Sequence, residues 1–151
     1  MLHANFKLLV DFVEVENAWM HHISHDDKGL RPLKWWQRPF WRSRELGLKY
    51  LEWQTVLDDP NHPDFKSFNQ GMKPPPAWSK DGHPSQAETA RQVKRLYLWW
   101  TEDFAKREDP YESDLYKTMS SQEINDLESK ETAEELEALI MLMKIRKGLW
   151  T

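Results

Sequence analysis

Two periods compete at the start of the chain. Phe6, Leu8, Val10 and Phe12 fall at every second position, as in a half-buried strand. Lys7, Asp11, Glu14, Ala18, His21 and His25 recur at steps of four and three, tracing one stripe of a 3.6-residue helix. A strand would place Asp11 and Val13 on one face, so the polar stripe decides for a helix over about 5–24. Asn5 is its expected N-cap, and Leu9, Phe12, Val13, Trp19, Met20 and Ile23 are its expected buried face.

Gly29 and Pro32 mark a turn, and Pro39 limits LKWWQRPFW (33–41) to one or two helical turns. Ser43 is placed to cap a second helix running to about Asp58, with Leu46, Tyr50, Trp53 and Leu57 on its apolar side. Gly47 lies inside that helix, where it costs about 1 kcal/mol relative to Ala and suits the close approach of another helix. Six prolines and two glycines between 59 and 84 predict a long connecting loop without a regular element, pinned by Phe65, Phe68, Met72 and Trp78. Such long loops are otherwise functional or mobile.

Ser85 and Glu88 form a capping-box pattern before a third helix whose core face is Ala90, Val93, Tyr97, Trp100 and Phe104, broadened by Leu96 and Trp99. Ser120 and Glu123 repeat the pattern. Beyond them the pattern fits either one helix over 121–147 or two, broken near Thr132, with Leu136, Leu139, Ile140, Met143 and Ile145 apolar. The fold class expected is all-α: one domain over 1–151, a bundle of four or five helices with the Pro-rich loop inside it.

Composition changes this picture in two ways. Hydrophobic residues are only 39% of the 151, but nine Trp, four Tyr and six Met supply large apolar surfaces for a core. The lack of Cys excludes disulfides, thiolate catalysis, iron–sulfur clusters and Cys-based zinc sites. No apolar run reaches membrane-spanning length and the start lacks a signal-peptide pattern, so a soluble, intracellular protein is expected.

The net charge of −4 hides an asymmetry. Residues 28–50 carry seven bases against one acid, and residues 101–137 carry 13 acids against four bases. The two patches either satisfy each other or steer a partner. The basic segment interleaves Arg38 and Arg42 with Trp35, Trp36, Phe40 and Trp41, a mixture of cations and stacking surfaces that suits single-stranded nucleic acid. It equally describes tryptophans turned inward beneath snorkelling arginines.

The segment His21-His22-Ile23-Ser24-His25-Asp26-Asp27 is the best candidate for chemistry. On a helix His21 and His25 share a face at i and i+4, a spacing that suits zinc or manganese, and Asp26 or Asp27 supplies a carboxylate. The His-Asp step distantly resembles the HD phosphohydrolases, metal-dependent enzymes that also need an earlier His and a later Asp. His3 lies close upstream for the first, and no particular Asp stands out for the second. The plain alternative is a solvated helix end where the dipole favours histidine. No G-x-S-x-G elbow, phosphate-cradling Gly-rich loop or H-E-x-x-H occurs, and His62 and His83 flank the loop without an evident partner.

Four stretches carry a resemblance. RLYLWWTEDFAKREDPY (95–111), LIMLMKIRKGLWT (139–151), FVEVENAWM (12–20) and LGLKYLEW (46–53), about 47 of 151 residues, resemble segments of small, functionally uncharacterised proteins of tailed bacteriophages. The resemblance implies a phage source and a role in infection, in the cytoplasm of the bacterial host or in the virion, and brings no catalytic residue with it. The expectation is a non-enzymatic accessory protein that needs no cofactor and binds a macromolecule, a protein first. The first contact residues are Trp35, Trp36, Arg38, Trp41 and Arg42, then Trp78. Three alternatives stand beside it: a single-stranded nucleic-acid binder using 28–50, a metal-dependent phosphohydrolase using His21, His25 and Asp26, and a minor virion component.

Overall fold

A computed structural model describes residues 2–24, 41–69, 71–108, 112–114 and 116–149. Every regular element among them is helical, and the one β pairing is an isolated bridge between Trp78 and Pro84. The first rod runs from α1 (Leu2–Asp11) through a π-helical turn (Phe12–Asn17) into α2 (Ala18–Ser24). Then come α3 (Arg44–Thr55), α4 (Pro63–Asn69), α5 (Gln86–Leu98) and α6 (Ser121–Leu149). A second π-helical turn, Trp99–Asp103, and a 3₁₀ turn, Phe104–Lys106, prolong α5. The described residues thus form an all-α bundle of five rods. α3 packs on both the first rod and α5, and α5 packs in turn on α6.

Burial in the first rod settles its period and corrects its face. Phe6 is 0% exposed and Leu8 51%, so the alternation does not describe a strand. Phe6, Leu9 and Val13 point inward as the helical spacing requires, but Ala18 and His21, which the spacing puts on the polar stripe, are buried too. Met20 and Ile23, expected inside, are exposed. The π turn is the reason: it carries one residue more than an α turn, which displaces every later position by about 100°. The Ala18 N–H reaches the Val13 and Val15 carbonyls, and the Glu14 carbonyl accepts the Ser43 N–H at 2.8 Å.

Gly47 sits against this turn. A Cβ at Gly47 would lie 2.1 Å from the Val13 carbonyl oxygen, so the two helices cross with backbone nearly touching backbone. Ser43 caps α3 as expected, its Oγ accepting the Leu46 N–H at 3.3 Å.

The region 59–84 departs from a plain loop. Pro63 begins α4, because proline's fixed φ and missing N–H suit the first helical position. The His62 Nδ1 accepts the Asp64 N–H at 3.3 Å, so this histidine does have a partner: it caps α4, and Phe65 is buried beneath. Met72 pins nothing, being 68% exposed. Residues 77–85 fold back on themselves. The Ser79 N–H donates to the His83 carbonyl and the Ser85 N–H to the Ala77 carbonyl, both at 2.7 Å, and Gly82 takes the positive φ the turn needs. The fold-back delivers Ser85 as the N-cap of α5, its Oγ accepting the Glu88 N–H.

α6 is one unbroken helix. Its capping box is complete: Ser120 Oγ accepts the Glu123 N–H at 3.3 Å, and Glu123 Oε2 accepts the Ser120 N–H at 2.7 Å. Thr132 does not start a second helix, since its hydroxyl donates to the Glu128 carbonyl one turn back.

Phe6, Leu9, Val13, Leu51, Val93, Leu96, Tyr97, Leu142 and Ile145 form the core. Beside it Phe6 stacks on Trp100 (centroids 4.7 Å apart) and Trp100 on Phe104 (4.4 Å), with His3 edge-on to both Trp100 and Phe104. Arg107 lies over Phe104 and Trp99 and reaches Glu134 at 2.7 Å and Glu135 at 3.1 Å, tying this aromatic wall to the acidic half of α6. No helix among the described residues is long and apolar enough to cross a membrane.

Candidate interaction surface

Trp41 and Arg42, just before α3, are anchored by aromatic and ionic contacts. Trp41 is half-buried against Trp19 and His22 of α2, with centroids 6.2 and 5.7 Å away. Arg42, next to it, donates through Nε to Glu14 Oε2 at 3.1 Å and pairs with Asp11 at 2.8 Å. Asp11 and Glu14 are two members of the polar stripe that lie before or early in the π turn, where the helical spacing still holds. The other Glu14 oxygen accepts the hydroxyl of Tyr97 at 2.6 Å. Arg44, beyond the cap, lies over the Tyr97 ring and pairs with Glu102.

Tyr97 is fully buried, and burial, followed by the hydrogen bond to the Glu14 carboxylate, raises its pKa well above the usual tyrosine value of 10.0. It is therefore a fixed donor that holds Glu14 in place, and Glu14 in turn holds Arg42 and the entry to α3. A pKa raised in the folded state means the unfolded chain releases this proton first, so stability is complete below pH 10 and declines as pH rises above it. Tyr97→Phe should lower stability by about 1.5–3 kcal/mol, the worth of a hydrogen bond to a charged acceptor. It should also flatten the alkaline decline. Urea unfolding at a series of pH values from neutral to alkaline measures both effects, and an undiminished decline in the variant would contradict the assignment.

A groove of about 520 Å³ opens beside this anchor. Met20 and Ser24 of α2, Tyr50 and Trp53 of α3, Asp64 and Ser67 of α4, Gln86 of α5, and Leu57 line it. The Tyr50 and Trp53 rings lie 5.5 Å apart, and burial raises the Tyr50 pKa. Met20 is 39% exposed, and Ile23, 57% exposed, lies one turn further along α2. The same rotation that took these two side chains out of the core therefore turns one of them onto an open, partly apolar groove.

The expected contact residues are distributed unevenly. Trp35, Trp36 and Arg38, together with His25 and Asp26, lie outside the described residues. Trp41 and Arg42 lie together and are engaged within the fold. Trp78 is half-buried in the fold-back that precedes α5. His21 is 6% exposed. Among the described residues no group of three or more His, Asp or Glu is arranged to hold a metal. Of the basic segment, Arg42 meets Asp11 and Glu14, Arg44 meets Glu102, and Lys49 meets Glu45 one turn back. The Arg44–Glu102 pair joins the basic segment to the acidic one, in which Glu137 draws on Arg95 and Glu134 and Glu135 on Arg107.

No spacing marks Met20, Tyr50 and Trp53 as the lining of a groove. Periodicity identifies a face, while the neighbour that covers the face, or leaves it open, is set by the crossing at Gly47. Compared with protein-family models, with curated proteins and with solved structures, the chain finds no match.

Proposed function

We propose that the chain is a phage-encoded, non-enzymatic accessory protein that acts in the cytoplasm of the infected bacterium by binding a partner protein. The observation that carries this reading is the groove between α2, α3 and α4, which exposed Met20 lines together with Tyr50 and Trp53. Such a site, with apolar and aromatic side chains beside polar ones, suits the apolar side chains of a protein segment. Two further features support it. The polar side chains at the α3 entry are engaged with one another, and the described residues of the four stretches that resemble phage proteins lie mostly on helices of the bundle. A protein partner is favoured over single-stranded nucleic acid because Arg42, Arg44 and Lys49 are already matched with carboxylates.

Affinity capture from lysate of infected and uninfected host cells, read by mass spectrometry, tests this with two chains in parallel. The wild type should retain a partner in stoichiometric amount. Met20→Asp, at an exposed position that leaves the core intact, should weaken retention at least tenfold, as expected when an apolar anchor is replaced by a charge. Capture of no stoichiometric protein, or equal capture by the variant, overturns the reading. The partner's recovery from purified particles, rather than from lysate, would assign the protein to the virion instead.

A further inference from the structure

α6 is apolar on two faces. Ala138, Leu142, Ile145 and Leu149 are buried against the bundle. Leu136, Ile140 and Met143 are 58%, 47% and 41% exposed. At 100° per residue the second set lies roughly 160° around the helix from the first, directed away from α5. Steps of four and three place Leu136, Ile140 and Met143 along one seam, the spacing by which one helix receives another.

Charge along the helix says which helix fits. Between Ser121 and Glu137 there are seven acids and one base, and between Ala138 and Leu149 three bases and no acid. Exposed Glu137, which also reaches Arg95 of its own α5 at 3.0 Å while 69% of its side chain stays open to solvent, and exposed Lys144 flank the seam on the same edge, at positions symmetric about its middle. In an antiparallel pair of helices like edges face each other, so Glu137 of each copy meets Lys144 of the other, and the two helices overlap only from about residue 132 onward. A parallel pair would set acid on acid and base on base.

We infer that this outer face of α6 is a self-association surface, which pairs two copies of the chain antiparallel about a twofold axis near Ile140. The apolar contact spans about two helical turns, so the dimer is small among stable interfaces and its population depends on concentration. The surface lies on a different element from the α2–α3–α4 groove and involves none of the groove's residues.

Sedimentation of the purified chain tests the pairing without any partner protein. The mass should rise from the monomer's 18.2 kDa toward twice that value as concentration increases. Ile140→Asp, on the solvent side, should stay monomeric with unchanged helicity and melting temperature. Wild type that stays monomeric throughout overturns the inference, and so does dimerisation that survives in Ile140→Asp.

Orientation is read with single cysteines, since the chain has none of its own. Under mild oxidation Ile140→Cys should cross-link to its counterpart on the axis. Leu136→Cys should not, because antiparallel counterparts eight residues apart lie about 12 Å from each other along the helix, beyond disulfide reach. Equal cross-linking of both variants would show a parallel pair and overturn the antiparallel arrangement. Glu137→Lys and Lys144→Glu should each weaken the dimer and together restore it; weakening without restoration in the double variant also overturns it.

Discussion

Replacing Gly47 with alanine is expected to destabilise the fold by at least about 3 kcal/mol, the upper range for overpacking a tight site. The sign is the informative part. In an exposed helix interior the same change stabilises by about 1 kcal/mol, because alanine is the better helix former. Here the added methyl would lie 2.1 Å from the Val13 carbonyl oxygen and 2.9 Å from the carbonyl carbon. These are backbone atoms of a π-helical turn whose Val13 carbonyl already accepts the Ala18 N–H. A side chain could swing aside, but the carbonyl moves only if the turn or the helix crossing moves with it. Chemical unfolding of the two proteins decides the matter. A Gly47→Ala variant as stable as the wild type would mean that the two backbones do not touch at this crossing.

Phe6→Ala is expected to lower stability by about 3–5 kcal/mol, the range for deleting a fully buried phenylalanine ring. Phe6 is 0% exposed and contacts both Trp99 and Trp100, at centroid distances of 5.4 and 4.7 Å. The truncation therefore opens a cavity at the junction of the first rod, the α5 extension and the core. Leu8→Ala, two residues away and 51% exposed, should change stability by no more than about 0.5 kcal/mol. The contrast between the two variants discriminates a helix from a strand, since a strand would place both side chains on one face. Unfolding followed by tryptophan fluorescence reports on the disturbed ring cluster and on global stability together.

The three serine caps are legible in the residues themselves, whereas Asn5, the expected cap of the first helix, lies inside α1 (Leu2–Asp11). Ser43, Ser85 and Ser120 each accept a backbone N–H three residues on, at the positions their spacing indicates. The inward face of α5 is legible too, with Ala90, Val93, Leu96 and Tyr97 buried. Such features depend on a residue and its neighbours within one turn, and short-range chemistry is written directly in the chain. Gly47 is an intermediate case. A glycine inside a helical pattern signals close approach, but nothing nearby says that the approaching group is the Val13 carbonyl.

Local chemistry along the chain therefore dictates the all-α class, the starts of α3, α5 and α6 at their serine caps, and the apolar faces of α3 and α5. Long-range packing settles the rest. The π turn at Phe12–Asn17 shifts the inward face, so that His21 goes into the interior and Met20 onto the groove. His62 becomes a cap because Pro63 can open a short helix whose Phe65 has a place to be buried. The seam of α6 keeps Leu136, Ile140 and Met143 outside because α5 covers only the opposite side of that helix. In each case local periodicity proposes a face, and the helix crossing, fixed by backbone contact far away in sequence, selects the side chains that are covered.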